Sequence, residues 1–144
     1  MAQTFLSPEE KAELIRQALA ARELSYSPYS GYQVGAAVMT EEKKIYTGCN
    51  IENAAYSPTN CAERTAMFKA VSEGVRGFVA IAVAGSPKGP VTQYAFPCGV
   101  CRQVMREFSN PEQMLVLVAK SETDYIEKTL AELLPESFGP ENLN

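Results

Sequence analysis

Residues 78–84 read FVAIAVA, seven apolar residues in a row. A short apolar run without alternation is typical of a strand that is buried on both faces of a sheet. Residues 114–118 read MLVLV and give the same indication. Strands of this kind need helices on both faces of their sheet. The two runs therefore predict the centre of an α/β protein.

Segments on either side of these runs predict the covering helices. Ser7 and Glu10 form a capping box around Pro8, so the first helix begins at Pro8 and continues to about Leu24. Further helices are predicted at residues 61–73, from about residue 98, and at about residues 126–134. A polar turn at residues 41–44 separates two short strands, at residues 34–39 and 45–47. This order of elements indicates a three-layer α/β/α sandwich with a mixed central sheet.

Length and composition fit one globular domain that spans residues 1–144. Of the 144 residues, 46% are hydrophobic and 21% are charged, which are ordinary values for a folded domain. The 13 basic and 17 acidic residues give a net charge of −4 at pH 7, and no basic block occurs. We therefore expect no nucleic-acid partner, because phosphate binding needs a cationic surface.

The first ten residues contain no basic segment followed by an apolar run, and no apolar stretch reaches 18 residues. We expect a soluble, cytoplasmic protein without a membrane partner. Its four cysteines should be reduced there, and clustered thiols in such a compartment are typical metal ligands or nucleophiles. The chain has no histidine. A Cys-His dyad and a Ser-His-Asp triad are therefore excluded, and a zinc site would need thiolates or carboxylates.

Reactive side chains concentrate in two short motifs, Cys61-Ala62-Glu63 and Pro97-Cys98-Gly99-Val100-Cys101. Each motif falls at the predicted start of a helix, where free main-chain N–H groups stabilise thiolates. Three thiolates supply three ligands of a tetrahedral zinc ion. Glu63, two residues after the first cysteine, is the candidate for moving protons at such a centre. Arg64 is a candidate hydrogen-bond donor to the thiolates.

The fourth zinc ligand decides what such a centre does. Water in that position gives an enzyme, because zinc lowers the pKa of bound water towards neutrality. Cys49 in that position closes the centre and gives a non-catalytic interaction module. The open centre is favoured, since Cys49 follows a strand and has no neighbouring cysteine.

The motifs resemble those of the small, homotetrameric cytidine deaminases, which act on free nucleosides. The likeness extends from about Leu14 to Phe138 and is specific at residues 29–30, 34–37, 48–54, 61–64 and 97–103. It implies that the protein hydrolyses the 4-amino group of cytidine and 2′-deoxycytidine in pyrimidine salvage. The products would be ammonia and uridine or 2′-deoxyuridine. The zinc-deaminase pattern of a Glu near the first ligand, followed by Pro-Cys-x-x-Cys, is the core of this resemblance.

The resemblance also implies roles for individual residues. One zinc ion per chain would be held by Cys61, Cys98 and Cys101, with Glu63 moving protons and Arg64 bonded to the cysteine sulfurs. The remaining residues would bind the nucleoside. Tyr32, at a position that is commonly Phe in the family, would stack on the pyrimidine, and Asn50 and Glu52 would bind the ribose. The Ala62 amide and the Pro97 carbonyl would hold the base edge. Tyr56 and Phe138 would reach the sites of neighbouring subunits in a homotetramer.

Two other activities of the same fold are alternatives for the same residues. A deaminase of modified cytosine nucleosides is one alternative, but Asn50 and Glu52 favour an ordinary ribose. Editing of polynucleotides is the other, but a strand needs a cationic track that a net charge of −4 does not provide.

Overall fold

A five-stranded mixed sheet forms the centre of the computed structural model, which describes residues 6–143. In chain order, the strands are β1 (Tyr32–Thr40), β2 (Ile45–Cys49), β3 (Phe78–Pro87), β4 (Leu115–Ala119) and β5 (Tyr125–Thr129). Their spatial order is β2-β1-β3-β4-β5. The β3–β4 pair is parallel and the other three pairs are antiparallel. The run at residues 78–84 thus lies in the central strand, as predicted.

The helices lie on both faces of this sheet. They are α1 (Pro8–Arg22), α2 (Ala62–Ser72), α3 (Gly99–Glu107) and the short α4 (Leu130–Leu133), followed by a 3₁₀ turn (Pro140–Leu143). One apolar cluster packs α1 against one face, and a second packs α2, α3 and α4 against the other. The predicted three-layer α/β/α sandwich is therefore confirmed. Among residues 6–143, no helix has the length and apolar character needed to cross a membrane.

The capping signals place α1 correctly. The Ser7 side chain accepts from the Glu10 N–H, and the Glu10 carboxylate accepts from the Ser7 N–H, so both halves of the capping box form. Leu14, Ile15 and Ala18 have no exposed surface and form the buried stripe of the helix. The helix ends at Arg22, two residues before the predicted end near Leu24.

The predicted helix at residues 126–134 is wrong in its first half. Residues 125–129 form the edge strand β5, which pairs with β4, and only Leu130–Leu133 are helical. Thr129 caps this short helix together with Glu132, in a second capping box. That box is the sequence signal for a helix start at Leu130, and pairing with the exposed edge of β4 determines the residues before it.

Glycine lets each face helix approach the sheet closely. A Cβ atom on Gly48 in β2 would lie 2.5 Å from the Ala66 nitrogen and 2.7 Å from the Ala62 oxygen, both in α2. A Cβ atom on Gly35 in β1 would overlap the main chain of Ala18 and Arg22 in α1. The first turn of α2 therefore packs directly on the sheet, and this contact fixes the distance between the sheet and the residues of that turn.

Candidate active site

Two helices begin with a cysteine at the same end of the sheet. Cys61 is the N-cap residue of α2 and Cys98 is the N-cap residue of α3, and both have extended backbone angles. Neither side chain caps its helix by hydrogen bonding. Both sulfur atoms are therefore available for another partner, and both lie in the positive field of a helix N-terminus.

The third cysteine completes a cluster of sulfur atoms. Cys101, buried in the first turn of α3, lies with its Sγ 3.6 Å from that of Cys98, and the Sγ atoms of Cys61 and Cys98 are 3.9 Å apart. All three sulfurs lie within 4.8 Å of one another. Tetrahedral zinc with sulfur ligands at 2.3 Å needs S···S separations of about 3.8 Å. The three cysteines therefore fit a zinc ion.

Cys49 is not part of this cluster. Its thiol, at the end of β2, donates a hydrogen bond to the Leu24 carbonyl at 3.4 Å. Among residues 6–143, the one group of three or more potential metal ligands is Cys61, Cys98 and Cys101. The alternative of a closed four-cysteine centre therefore has no support in the structure.

Arg64 lies against the sulfur cluster. Its Nη2 donates to the Cys61 Sγ at 3.2 Å, which is the contact expected of a residue that stabilises thiolates. Its Nε is buried and has no hydrogen-bond partner among the described residues. The position is therefore one where a guanidinium is held beside the sulfurs despite an unsatisfied N–H group.

The cluster favours thiolate at Cys61. Hydrogen bonds from the Cys101 thiol and from Arg64 lower the pKa of Cys61 to about 5, although burial opposes the shift. The hydrogen bond with Cys61 and burial together raise the pKa of Cys101. In the metal-free cluster, the Cys61 thiolate therefore accepts a hydrogen bond from the Cys101 thiol. A bound cation would replace that proton, because thiolates are the ligand form.

Glu63 is an almost completely buried acid next to this cluster. Its side chain is 4% exposed, and the residue lines the same cavity as Cys61 and Cys98. Burial raises the pKa of Glu63 to about 7, with a further contribution from the Cys61 thiolate. A buried carboxyl group in a cavity, beside metal ligands, has the position required of a proton carrier.

The cavity above the cluster has a volume of about 390 Å³, within the range of small-molecule sites. Its lining combines the reactive groups with an apolar wall. The lining residues are Tyr32, Val34, Asn50, Thr59, Asn60, Cys61, Ala62, Glu63, Val83, Ala95, Phe96 and Cys98. The structure thus brings six of the predicted site residues into one cavity: the two cysteines Cys61 and Cys98, with Tyr32, Asn50, Ala62 and Glu63.

Tyr32 forms part of the cavity wall at the start of β1. Its hydroxyl donates to the Gln93 Oε1 at 2.9 Å and lies 3.4 Å from the Gly85 carbonyl oxygen. Burial raises the pKa of this hydroxyl. The hydroxyl is therefore bonded to the protein, and the ring remains available to the cavity.

Asn50 is held by the main chain of the neighbouring strand. Its Oδ1 accepts from the Val34 N–H at 3.0 Å and from the Ser25 hydroxyl, and its Nδ2 donates to the Tyr32 carbonyl at 2.8 Å. An amide nitrogen carries two hydrogens. Among residues 6–143 the second N–H of this rigidly positioned side chain has no acceptor, so it is left for a ligand.

Glu52 lies in an adjoining cavity rather than in the one above the cysteines. This second cavity, of about 370 Å³, is lined by Tyr29, Ser30, Glu52, Tyr56 and Thr59, and Thr59 lines both cavities. The Glu52 carboxylate accepts from the N–H groups of Tyr29 and Ser30 and from the Ser30 hydroxyl, which lower its pKa. It is therefore a fixed anion at the edge of the main cavity.

Tyr56 and Phe138 are exposed to 72% and 58%, high values for aromatic residues. Tyr56 packs edge-on against Tyr29, with ring centroids 6.1 Å apart, and has a left-handed φ of 62°. Pro97 is buried, does not line the main cavity, and its carbonyl already accepts from Arg102 Nε at 2.7 Å. Within one chain, the structure does not bring Tyr56, Phe138 or Pro97 into the main cavity.

Sequence reasoning missed the apolar wall of the cavity. Ala95 and Phe96 come from the irregular segment between β3 and α3, and Val83 comes from the central strand. The sequence around Phe96 predicts only a loop, because Gly and Pro dominate it. The adjacent Pro97-Cys98 motif was the one signal that this loop ends at the metal ligands.

Three clustered cysteine sulfurs and a buried carboxyl group at a cavity define the class of a zinc-dependent hydrolytic enzyme. Comparison with known proteins narrows this class. Residues 8–118 match the family model described as the cytidine and deoxycytidylate deaminase zinc-binding region. The chain therefore belongs to the zinc-binding cytidine and deoxycytidylate deaminase family, and the predicted zinc cofactor is confirmed.

Individual relatives agree with this family. A cytidine deaminase of Sporosarcina psychrophila is 53% identical over 132 residues, covering 92% of this chain and 93% of the relative. One from Halalkalibacterium halodurans is 49% identical, covering 94% and 98%. The crystal structure of a cytidine deaminase from Burkholderia pseudomallei superimposes with a TM-score of 0.76 at 46% identity, covering 88% of this chain and 97% of that one. The likeness thus covers most of each chain.

Proposed function

We propose that this protein hydrolyses the 4-amino group of cytidine and 2′-deoxycytidine, releasing ammonia and uridine or 2′-deoxyuridine. The observation that carries the proposal is the buried Glu63 carboxyl group in the same cavity as the three-sulfur cluster. The relatives named cytidine deaminase, at up to 53% identity over most of the chain, point to the same reaction.

The chain's own residues divide the chemistry between them. Cys61, Cys98 and Cys101 would hold one zinc ion. Zinc, when bound, supplies the Lewis acidity that makes water a nucleophile at neutral pH. Glu63 takes one proton from the attacking water and delivers it to the ring nitrogen of the base. It then takes the second proton of that water from the new C4 hydroxyl and passes it to the amine, which leaves as ammonia when the C4–N bond breaks. Arg64 stabilises the Cys61 thiolate through its 3.2 Å hydrogen bond.

Other residues would orient the nucleoside. The Tyr32 ring stacks on the pyrimidine, and the Ala62 amide and Pro97 carbonyl hold the base edge, the latter sharing its oxygen with Arg102. Asn50 offers its free N–H to the ribose. Glu52 reaches the ribose from the adjoining cavity, which meets the main cavity at Thr59.

Loss of ultraviolet absorbance on deamination tests the substrate. Cytidine and 2′-deoxycytidine should be converted rapidly, whereas free cytosine should be poor because the ribose contacts that orient the base are missing. CMP and single-stranded DNA are tested as substrates in the same assay. Faster conversion of DNA would show a polynucleotide enzyme, and comparable efficiency on cytosine would remove the nucleoside proposal.

We further propose a single domain that assembles as a homotetramer, in which Tyr56 and Phe138 enter the sites of neighbouring subunits. Their exposure as large aromatic residues supports this role. Phe138→Ala should lower activity with zinc still bound, whereas Leu143→Ala, which truncates another exposed side chain of the same tail, should not. A fully active monomer by light scattering would overturn the assembly.

The proposed setting is pyrimidine salvage in the cytoplasm. Four free cysteines, three of them in a metal cluster, suit a reducing compartment. We propose no nucleic-acid partner, and the net charge of −4 supports this.

A further inference from the structure

Arg22 is a buried cation that is not one of the predicted site residues. It is the last residue of α1 and is 4% exposed. All three guanidinium nitrogens donate hydrogen bonds. Nε donates to the Gln33 carbonyl at 3.0 Å, Nη1 to the Gly89 carbonyl at 2.8 Å, and Nη2 to the Ser86 carbonyl, the Ser86 hydroxyl and the Pro87 carbonyl at 3.2, 3.0 and 2.8 Å.

Only dipoles balance this charge. None of the ion pairs between residues 6–143 involves Arg22. Burying a cation without a counter-ion is costly unless hydrogen bonds compensate it fully. The planar fork of arginine can bind several oxygens at fixed angles, which a lysine ammonium cannot do. Arg22 therefore ties residues 86–89, which are the last two residues of β3 and the two that follow it, to α1 and β1.

The segment that follows has little other support. Residues 88–97 contain no helix or strand. In the described part of the chain, a single hydrogen bond between main-chain groups holds them, from the Lys88 N–H to the Gly31 carbonyl. Side chains provide the other anchors. The Ser86 hydroxyl bonds the Pro90 carbonyl, Tyr32 bonds Gln93, Tyr94 bonds Asp124, and Arg102 bonds the Pro97 carbonyl.

This weakly supported segment forms one wall of the substrate cavity. Ala95 and Phe96 line the cavity. A Cβ atom on Gly85 would lie 3.0 Å from the Cβ atom of Ala95, so Ala95 packs closely against β3. The segment then ends at the zinc ligand Cys98. Its far end is thus fixed by the metal centre, and its near end is fixed by Arg22.

We propose that Arg22 is a positioning residue for nucleoside binding, which holds residues 86–89 so that Ala95 and Phe96 form the cavity wall. The proposal rests on the proposed function, since it concerns the same cavity. It predicts an effect on substrate binding rather than on zinc or on proton transfer, because neither the sulfur cluster nor Glu63 contacts Arg22.

The test compares KM and kcat for cytidine. Arg22→Met keeps the length of the side chain and removes every donor. It should retain one zinc per chain and a kcat within about threefold of wild type, while KM rises by about tenfold or more, the scale expected of a small misplacement. Arg22→Lys keeps the charge but not the planar guanidinium, so its KM should lie between those of the wild-type protein and Arg22→Met.

Two further variants separate positioning from stability. Leu14→Ala removes a completely buried side chain from the same helix, so it should lower the melting temperature and leave KM unchanged. Ser86→Ala removes one of the five acceptors, together with the hydroxyl's own bond to the Pro90 carbonyl at 3.2 Å, and should raise KM by a smaller factor. Arg22→Lys decides the question if Arg22→Met does not fold.

Three results would overturn the role of Arg22. One is an unchanged KM in folded, zinc-loaded Arg22→Met with a lower melting temperature, since Arg22 would then be structural only. Another is a loss of zinc from Arg22→Met that parallels its loss of activity. The third is an unchanged KM in Arg22→Lys if Arg22→Met does not fold. Failure of the wild-type protein to deaminate cytidine would instead overturn the proposed function itself.

Discussion

Replacing Arg64 by methionine should weaken zinc binding without unfolding the protein. The variant loses the 3.2 Å hydrogen bond from Nη2 to the Cys61 sulfur and the positive charge beside the cluster. A hydrogen bond to a charged group contributes about 1.5–3 kcal/mol. The buried Nε has no hydrogen-bond partner among residues 6–143, so the variant loses no further bond to the cluster with it.

The expected change in zinc affinity follows from these numbers. Each 1.4 kcal/mol corresponds to tenfold in a binding constant, so Arg64→Met should bind zinc about 10–100-fold more weakly. A chromophoric chelator of known zinc affinity measures this directly, as the fraction of zinc retained against chelator concentration. Arg64→Lys should show a smaller loss, because the charge remains while the fork does not.

Arg76→Met is the matched control. Arg76 follows α2 and donates to the Val71 and Val75 carbonyls, so the variant removes a similar charge at the opposite end of the helix. It should retain zinc as tightly as the wild-type protein. Wild-type zinc affinity in Arg64→Met would refute the role of the sulfur contact. Equal weakening in both variants would show a general charge effect instead.

Three further outcomes are expected. Glu63→Gln keeps its zinc by metal analysis, while turnover falls by at least about 10²–10⁴-fold, because the proton acceptor is gone; retention of a tenth of wild-type turnover contradicts this. Cys98→Ala loses zinc and activity together, whereas Cys49→Ala, whose thiol bonds only the Leu24 carbonyl, keeps both. In the metal-free protein, burial raises the pKa of Glu63 from 4.5 to about 7, so the folded state binds this proton more tightly than the unfolded state. Stability is therefore lost as the pH rises from about 4.5 to 7, by about 3 kcal/mol more than in metal-free Glu63→Gln; urea unfolding measures the difference, and parallel curves would contradict it.

Local signals predicted most of the fold. The Ser7 capping box, the apolar run at residues 78–84 and the left-handed Gly74 after α2 each specify their own element. Residues 125–129 were misassigned because their conformation depends on a partner. They are only partly buried and become a strand by pairing with β4, a contact that no short window of sequence contains.

The metal ligands could be predicted because zinc chemistry restricts both residue type and spacing. Cys98 and Cys101 are one helical turn apart, and a chain without histidine offers few other ligands. The nucleoside side of the cavity carries no such signal. Phe96 lines the cavity because of the course that residues 88–97 take in the folded chain. Arg22 acts through hydrogen bonds to main-chain carbonyl groups, which every residue possesses, so no residue type in the sequence indicates its partners.

Gly48 shows how a residue can control the reaction without contacting a ligand. Its missing side chain lets the first turn of α2 rest on β2, and even a methyl group there would push the helix away. Cys61 and Glu63 would then move together, one a zinc ligand and the other the proton carrier. In a library of single substitutions scored by growth or turnover, changes at position 48 should be depleted as strongly as changes at Glu63. Such a library would therefore show Gly48 to be as sensitive to substitution as a catalytic residue, although Gly48 contacts no ligand.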